Sequence, residues 1–329
     1  MLVALLAGCT AGPVPGASSS ASPVASPSST SGQEKTALIP FDGDCARVAT
    51  DEQVGAILGT PVRSDTTSTI AHPVESVALL GGLDCIWFEP GSAYLRLDLF
   101  PVGVVPTEVA ADAAALACGG SNVCGRAETI GSTWVKAAVT RDGASDTEPA
   151  GAERARITAQ LEAVFALVRA ASADTLAARP AEREAAWWTI PACAALQDAV
   201  IAGTGDPDLR PGYPTDAVPS GVAWDIAVSA GVVQWCPWYA VGADQGLRAV
   251  ELDIQPGVGS PTDAGLAGAL PSRVEGADHA WWIGSGSDGR KPEVVAVSGP
   301  NRLTVRGVPA SSRNALIRTT TAVLARLNG

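Results

Sequence analysis

Residues 83 to 101 read L-D-C-I-W-F-E-P-G-S-A-Y-L-R-L-D-L-F-P, and the chain says much the same again from Val233, as V-Q-W-C-P-W-Y, a loop, and then V-E-L-D-I-Q-P ending at Pro256. In each stretch a cysteine precedes a tryptophan by two positions, an aromatic follows, a turn intervenes, and an alternating strand ends on proline. Alternation with period two puts Leu95, Leu97 and Leu99 on one face of a strand and Tyr94, Arg96, Asp98 and Phe100 on the other. The leucine face is the core face. The repetition predicts an α+β chain of two tandem homologous domains, each an antiparallel sheet packed by an N-terminal, a middle and a C-terminal helix.

Working outward from Cys85, Thr50 and Gln53 have capping-box spacing, and Val54, Ile57 and Leu58 form a helical stripe that stops at Gly59. Pro106-Thr107-Glu108 opens an alanine-rich helix towards Cys118, and residues 127–139 form another hairpin. A long helix from about Ala152 to Ala171, with Ile157, Leu161, Val164, Phe165 and Val168 on one face, closes the unit. The second half repeats this order. A helix containing Cys193 runs to Gly203, a hairpin spans 236–254, and a middle helix opens at Ser260-Pro261-Thr262-Asp263. Strands at 280–283, 293–297 and 302–305 and a helix over 311–327 complete it. The domains are 38–172 and 186–329, joined by a linker at 173–185.

The 329 residues give each half enough chain to bury its own core. A net charge of -12 without any basic run repels phosphate backbones, so nucleic acid is excluded as a partner. Without Cys9, six of the seven cysteines remain. Cys45 and Cys85 stand in the first half where Cys193 and Cys236 stand in the second, and Cys118 and Cys124 form a local pair. The expected disulfides are therefore Cys45 to Cys85, Cys118 to Cys124, and Cys193 to Cys236, which imply an oxidising compartment. With only His72 and His279 in the chain and no cysteine spacing suited to zinc, no metal and no cofactor is expected.

Chemistry is sparse. Gly284 to Gly289 satisfies G-x-G-x-x-G, but a β-rich run follows where a dinucleotide site needs a helix, so it reads as a hairpin turn. No G-x-S-x-G elbow occurs, and the two histidines lie in different halves. No catalytic residue is assigned. Trp87 and Trp238 follow bridging cysteines and belong to the core. The doublets Trp187-Trp188 and Trp281-Trp282 are different: neighbours on a strand face opposite ways, so if 281–282 is a strand, one of its two tryptophans points away from the core and can reach a ligand or partner. These four are the candidate contact residues.

Residues 1 to 9, M-L-V-A-L-L-A-G-C, end in Leu6-Ala7-Gly8-Cys9, which resembles the lipobox of bacterial lipoproteins. The resemblance implies a signal segment over 1–9 and a lipid on Cys9, holding the protein to the outer face of the cytoplasmic membrane. Residues 10–37 are Ser, Pro, Ala, Gly and Thr, too poor in large apolar side chains to fold, and form a disordered tether. No later run reaches the roughly 18 apolar residues of a membrane span. With lipobox, tether and the order Cys, helix, Cys-x-Trp, strand, Pro, closing helix, the chain resembles actinobacterial cell-envelope lipoproteins that carry a domain of unknown function. That resemblance implies surface anchoring and brings no catalytic residues. The expected function is a non-enzymatic, lipid-anchored binding or scaffold protein, with an envelope glycan, lipid or protein as partner. The alternative is a subunit of an envelope assembly or sensor complex; a carboxylate-dependent wall-polymer hydrolase ranks behind both.

Overall fold

The computed structural model describes residues 36–329 apart from 65–73, 90–92, 119–122, 141–148, 150, 213–220, 241–247, 263–264, 287–289 and 309. Cys9, the tether up to residue 35 and His72 lie outside the described residues. The chain is a mixed α+β structure built on two antiparallel sheets. The first half comprises α1 (Cys45–Val48), α2 (Asp51–Leu58), β1 (Arg63–Ser64), α3 (Val74–Leu79), β2 (Leu83–Glu89), β3 (Ala93–Pro101), α4 (Thr107–Ala113), β4 (Ala117–Cys118), β5 (Val123–Ile130), β6 (Thr133–Thr140), α5 (Gly151–Ala170) and α6 (Ala173–Leu176). After the linker come α7 (Gln197–Thr204), β7 (Leu209–Pro211), α8 (Val222–Ser229), β8 (Gln234–Ala240), β9 (Arg248–Gln255), β10 (Leu270–Pro271), β11 (His279–Ile283), β12 (Glu293–Ser298), β13 (Asn301–Gly307) and α9 (Arg313–Leu327). The sheets run β1-β2-β3-β6-β5-β4 and β10-β11-β12-β13-β9-β8-β7.

Local sequence explains most of these elements. The Thr50 hydroxyl accepts from the Gln53 amide while the Gln53 side chain accepts from the Thr50 amide, and Gly59 in the left-handed conformation ends α2. In β3 the leucines face inwards: Leu95, Leu97 and Leu99 join Cys85, Trp87, Val135, Ala137 and Val139 under the apolar stripe of α5. In the second sheet Val250, Leu252 and Ile254 join Cys236, Trp238, Leu303 and Val305 beneath Val200 of α7 and Leu316, Val323 and Leu324 of α9. Helices α7 and α9 cross closely at Gly203, where a Cβ would lie 2.2 Å from the Thr319 Cα. Trp87 and Trp238 are both fully buried, and neither indole N–H has an acceptor. Each leaves a desolvated donor costing roughly 1–3 kcal/mol.

The three disulfides join Cys45 to Cys85, Cys118 to Cys124 and Cys193 to Cys236, with Cα separations of 5.6, 4.0 and 5.5 Å. One expectation is corrected. The segment from Ser260 does not form a middle helix among its described residues: 265–268 are turn, and Gly268, at φ +74°, breaks the helix before β10 begins. In the linker only α6 is helical, after which Leu38 and Arg179 pair as an isolated β-bridge just before Pro180. The glycine run after Ile283 connects β11 to β12, with Gly286 N donating to Arg290 O, which is a strand-to-strand connection.

The polar faces of both sheets are covered as well, each by a helix from the other half. Helix α3 lies on the second sheet: Ser76 donates to Val232 O at 3.1 Å, Gln255 donates to Ser76 at 3.4 Å, and Arg302 pairs with Glu75 at 3.2 Å. Helix α8 lies on the first sheet, where Gly221 packs so tightly on Arg96 that a Cβ would sit 2.9 Å from its guanidinium. Between them Val77, Leu80, Phe100, Ala127 and Trp134 from one half and Val222, Ala223, Trp224, Ile226, Val233 and Trp235 from the other form a third apolar cluster. This cluster fills the part of the face between the sheets that it spans.

Candidate functional site

The four candidate tryptophans have different fates. Trp188 is buried, its indole donating to the Asn328 side chain at 2.9 Å and its amide to the Asn301 side chain at 2.9 Å. Trp187 is wedged between Gly257, where a Cβ would come within 2.5 Å of its ring, and the Arg183 guanidinium, 5.7 Å from its centroid. Arg183 itself is tied to the Trp188 and Gly231 carbonyls at 2.7 and 3.3 Å. This doublet fastens the linker to the second sheet, with the Trp188 ring buried and the Trp187 ring half-buried.

Strand alternation sorts the other doublet. Trp282 pairs with Val294 and packs against the second core. Trp281 pairs with Val295 on one side and Pro271 on the other, on the opposite face. It is half-buried, and the exposed ring of His279 lies 6.0 Å from it, tilted by 34°. Trp187, Trp281 and Trp282 are all half-buried, and of these Trp281 lies on the face opposite the second core.

A cleft of about 450 Å³ opens where the linker, the β12–β13 turn and the end of α9 meet, bordered by Trp187, Trp188, Thr189, Ser298, Asn301 and Asn328. Its amides are already committed: Asn301 donates to Ala186 O at 2.9 Å, and Asn328 donates to Gly276 O at 3.2 Å. None of these six side chains titrates, so what they offer is a neutral polar surface.

Acidic side chains do converge, on the two covered sheet faces. Asp84 and Asp98 face each other across β2 and β3 and share Arg96, which donates to Asp84 at 2.8 and 3.0 Å and to Asp98 at 3.1 Å. Lys136 on β6 completes that row, and Asp225 of α8 lies within its electrostatic reach. Burial pushes the Asp98 carboxyl up to about 7 against the opposing pull of Arg96, and burial pushes the nearby Tyr94 phenol up to about 12. On the second sheet Arg306 joins Asp253 and Glu293, Arg290 also pairs with Glu293, and Lys291 pairs with Glu251. Burial raises the Asp253 carboxyl too, with Arg306 opposing.

A raised carboxyl is often a sign of an active site. Here Asp98 is 2% exposed and both carboxylates of its row are clamped by one guanidinium, so the cluster is closed to a substrate. Among the described residues no group of three or more His, Cys, Asp or Glu side chains is arranged to hold a metal ion, and no helix is long and apolar enough to cross a membrane. No sequence signal marked Arg96 and Asp98 as buried; their alternation with leucine reads equally well as a solvated face. No protein-family model matches the chain, and comparison with curated proteins and with solved structures finds no match.

Proposed function

We propose that the chain is a lipid-anchored extracytoplasmic protein of the bacterial cell envelope that binds or scaffolds an envelope component and carries no catalytic activity. Two tandem copies of one disulfide-pinned α+β domain form its body. The tandem reading is supported by the matching orders β2-β3-β6-β5 and β8-β9-β13-β12, and by disulfides that tie the start of each half to its first long strand.

The observation that carries the binding reading is Trp281, a half-exposed indole on the sheet face opposite the core, beside the exposed His279 ring. An indole so placed can stack on the apolar face of a sugar while the imidazole supplies a hydrogen bond. The clamping of the Asp84–Asp98 and Asp253–Glu293 pairs by arginine weighs against a carboxylate hydrolase, which needs two carboxyls flanking an open cleft. The test is tryptophan fluorescence of the intact protein titrated with soluble cell-wall glycan fragments. The expected result is saturable quenching that Trp281→Ala removes; a wild-type protein that does not respond overturns the glycan reading. Metabolic labelling with an alkyne fatty acid tests the anchor, and label that persists in Cys9→Ala refutes it.

A second reading, a subunit of an envelope assembly or sensor complex, is favoured by the outward face of α9. There Ile317, Thr321, Ala322 and Ala325 line a mostly apolar shelf of about 570 Å³ between Glu275 and Arg318. Site-specific crosslinking from position 321 in intact cells distinguishes the two, since a glycan binder gives no discrete protein adduct there.

A further inference from the structure

Helix α9 closes the second core with Leu316, Val323 and Leu324, and its buried Thr319 meets α7 at Gly203. The other side of the helix carries the apolar shelf, on which Ile317, Thr321 and Ala322 are half-buried and Ala325 is exposed. The closing helix of the first half presents no such surface. On α5, Glu162 and Arg169 pair with each other and with Arg126 and Glu128 of β5, so those charges are satisfied within the half.

Helix α9 is charged differently. It carries Arg313, Arg318 and Arg326 and no acidic residue. Arg313 donates to Pro271 O and to Ser272, both at 3.1 Å. Arg318 and, across the shelf, Glu275 are exposed, and among the described residues neither has a hydrogen-bond or ion-pair partner.

Position along the helix explains why these two charges do not meet. Asn328 donates to Gly276 O at 3.2 Å, and a Cβ on Gly276 would lie 3.7 Å from the Leu324 Cβ, so Glu275 stands beside the C-terminal end of α9. Arg318 comes six residues before Leu324 and ten before Asn328, which puts roughly 9–15 Å of helix between the two charges. The apolar shelf fills that interval. A surface with an apolar centre, a cation at one end and an anion at the other is complementary to itself under a two-fold rotation.

We propose that this shelf is a self-association site, at which two copies of the chain pack α9 against α9 in antiparallel fashion and each Arg318 meets the partner's Glu275. The two-fold axis passes near Thr321 and Ala322, midway between Arg318 and Ala325. A parallel arrangement would set Arg318 against Arg318 and leave both Glu275 carboxylates unmatched, so charge selects the antiparallel one. Small side chains at Thr321, Ala322 and Ala325 let the helix axes approach to about 8 Å, the near end of the usual range. The apolar centre supplies the attraction, and the charges at the rim fix register and orientation. Because the same patch is used on both copies, the contact closes at two. The inference rests on the assembly reading and identifies the partner as a second copy of this chain.

Sedimentation equilibrium of the intact protein over a wide concentration range should show a reversible monomer–dimer equilibrium. Arg318→Glu, or Glu275→Arg, sets like charges together at both ends of the interface and should weaken association by about tenfold or more. The two substitutions combined should restore wild-type affinity. Both side chains are exposed, so neither change reaches the core. A photo-crosslinking residue at position 321 in intact cells should give an adduct of twice the chain mass. A monomer at every concentration, a dimer indifferent to both single reversals, or a double reversal as weak as the single ones overturns the proposal. An adduct with a different protein also overturns it but leaves the assembly reading standing, whereas the absence of any protein adduct overturns both.

Discussion

Replacing Asp98 by asparagine should flatten the pH dependence of stability. The carboxyl lies 2% exposed among Asp84, Arg96, Lys136 and Tyr94 on the first sheet, with Asp225 approaching from α8, and burial carries it from 3.8 to about 7. Because the folded value lies above the unfolded one, the folded state binds the proton more tightly between pH 4 and 7. Stability from this group is thus fully present below pH 4 and is lost as pH rises through about 7. At about 1.4 kcal/mol for each pH unit, the loss is on the order of 4 kcal/mol. Asparagine keeps the shape and cannot ionise, and Arg96 retains its two-pronged contact with Asp84. Urea unfolding at pH 5 and pH 8 measures the effect. The variant should be the more stable by about 1.7 kcal/mol at pH 5 and by about 4 kcal/mol at pH 8. A residual slope shared by both is expected, because Asp225 and Asp253 are raised in the same direction. Parallel stability curves for wild type and Asp98→Asn would show that the carboxyl is ionised in the fold and refute the argument.

Gly203→Ala gains roughly 1 kcal/mol of helix propensity but drives a Cβ to 2.2 Å from the Thr319 Cα. The separation of α7 and α9 should win, with a net loss of about 2 kcal/mol or more in urea midpoint measurements. Removing the Cys45–Cys85 bridge as paired serines frees a loop whose ends are 40 residues apart and should cost about 4 kcal/mol by denaturant unfolding. Ile226→Ala, at a fully buried position between the sheets, should cost about 2–4 kcal/mol and raise hydrogen exchange on both sides of the junction, in α3 as well as α8.

The parts of the fold legible in the sequence are those set by short-range pattern. The alternation through Leu95, Leu97 and Leu99 gave the buried face of β3, and the Thr50–Gln53 spacing gave the start of α2. The same alternation says nothing about what lies over Arg96, Asp98 and Phe100, because a polar face reads alike whether water or another half of the chain covers it. Helices α3 and α8 were missed for a related reason. They span six and eight residues, too short for a period to stand out, although in α8 the exposed Asp225 and Ser229 lie one turn apart opposite the buried Val222, Ala223, Trp224, Ile226 and Ala227. The Trp187–Trp188 doublet lies outside any strand, and only the contacts of Gly257, Arg183, Asn301 and Asn328 reveal its role as a fastener.

The exchange of α3 and α8 also accounts for the charges beneath them. A sheet whose second face met solvent would carry independent surface ions, each hydrated and of little consequence for stability. Where a helix from the other half covers that face, carboxylates lose water and must be matched, even though the Arg306 side chain stays 35% exposed. The first sheet matches two carboxylates with Arg96, and the second matches Asp253 and Glu293 with Arg306. Mispairing either set would leave an uncompensated buried charge, a penalty of several kcal/mol. The apolar cluster supplies the attraction that joins the halves and would tolerate sliding; the arginine-centred sets do not. Adhesion and register at the junction are thus divided between two kinds of side chain. Raised carboxyls among the second kind are the electrostatic consequence of the two halves holding each other's polar faces.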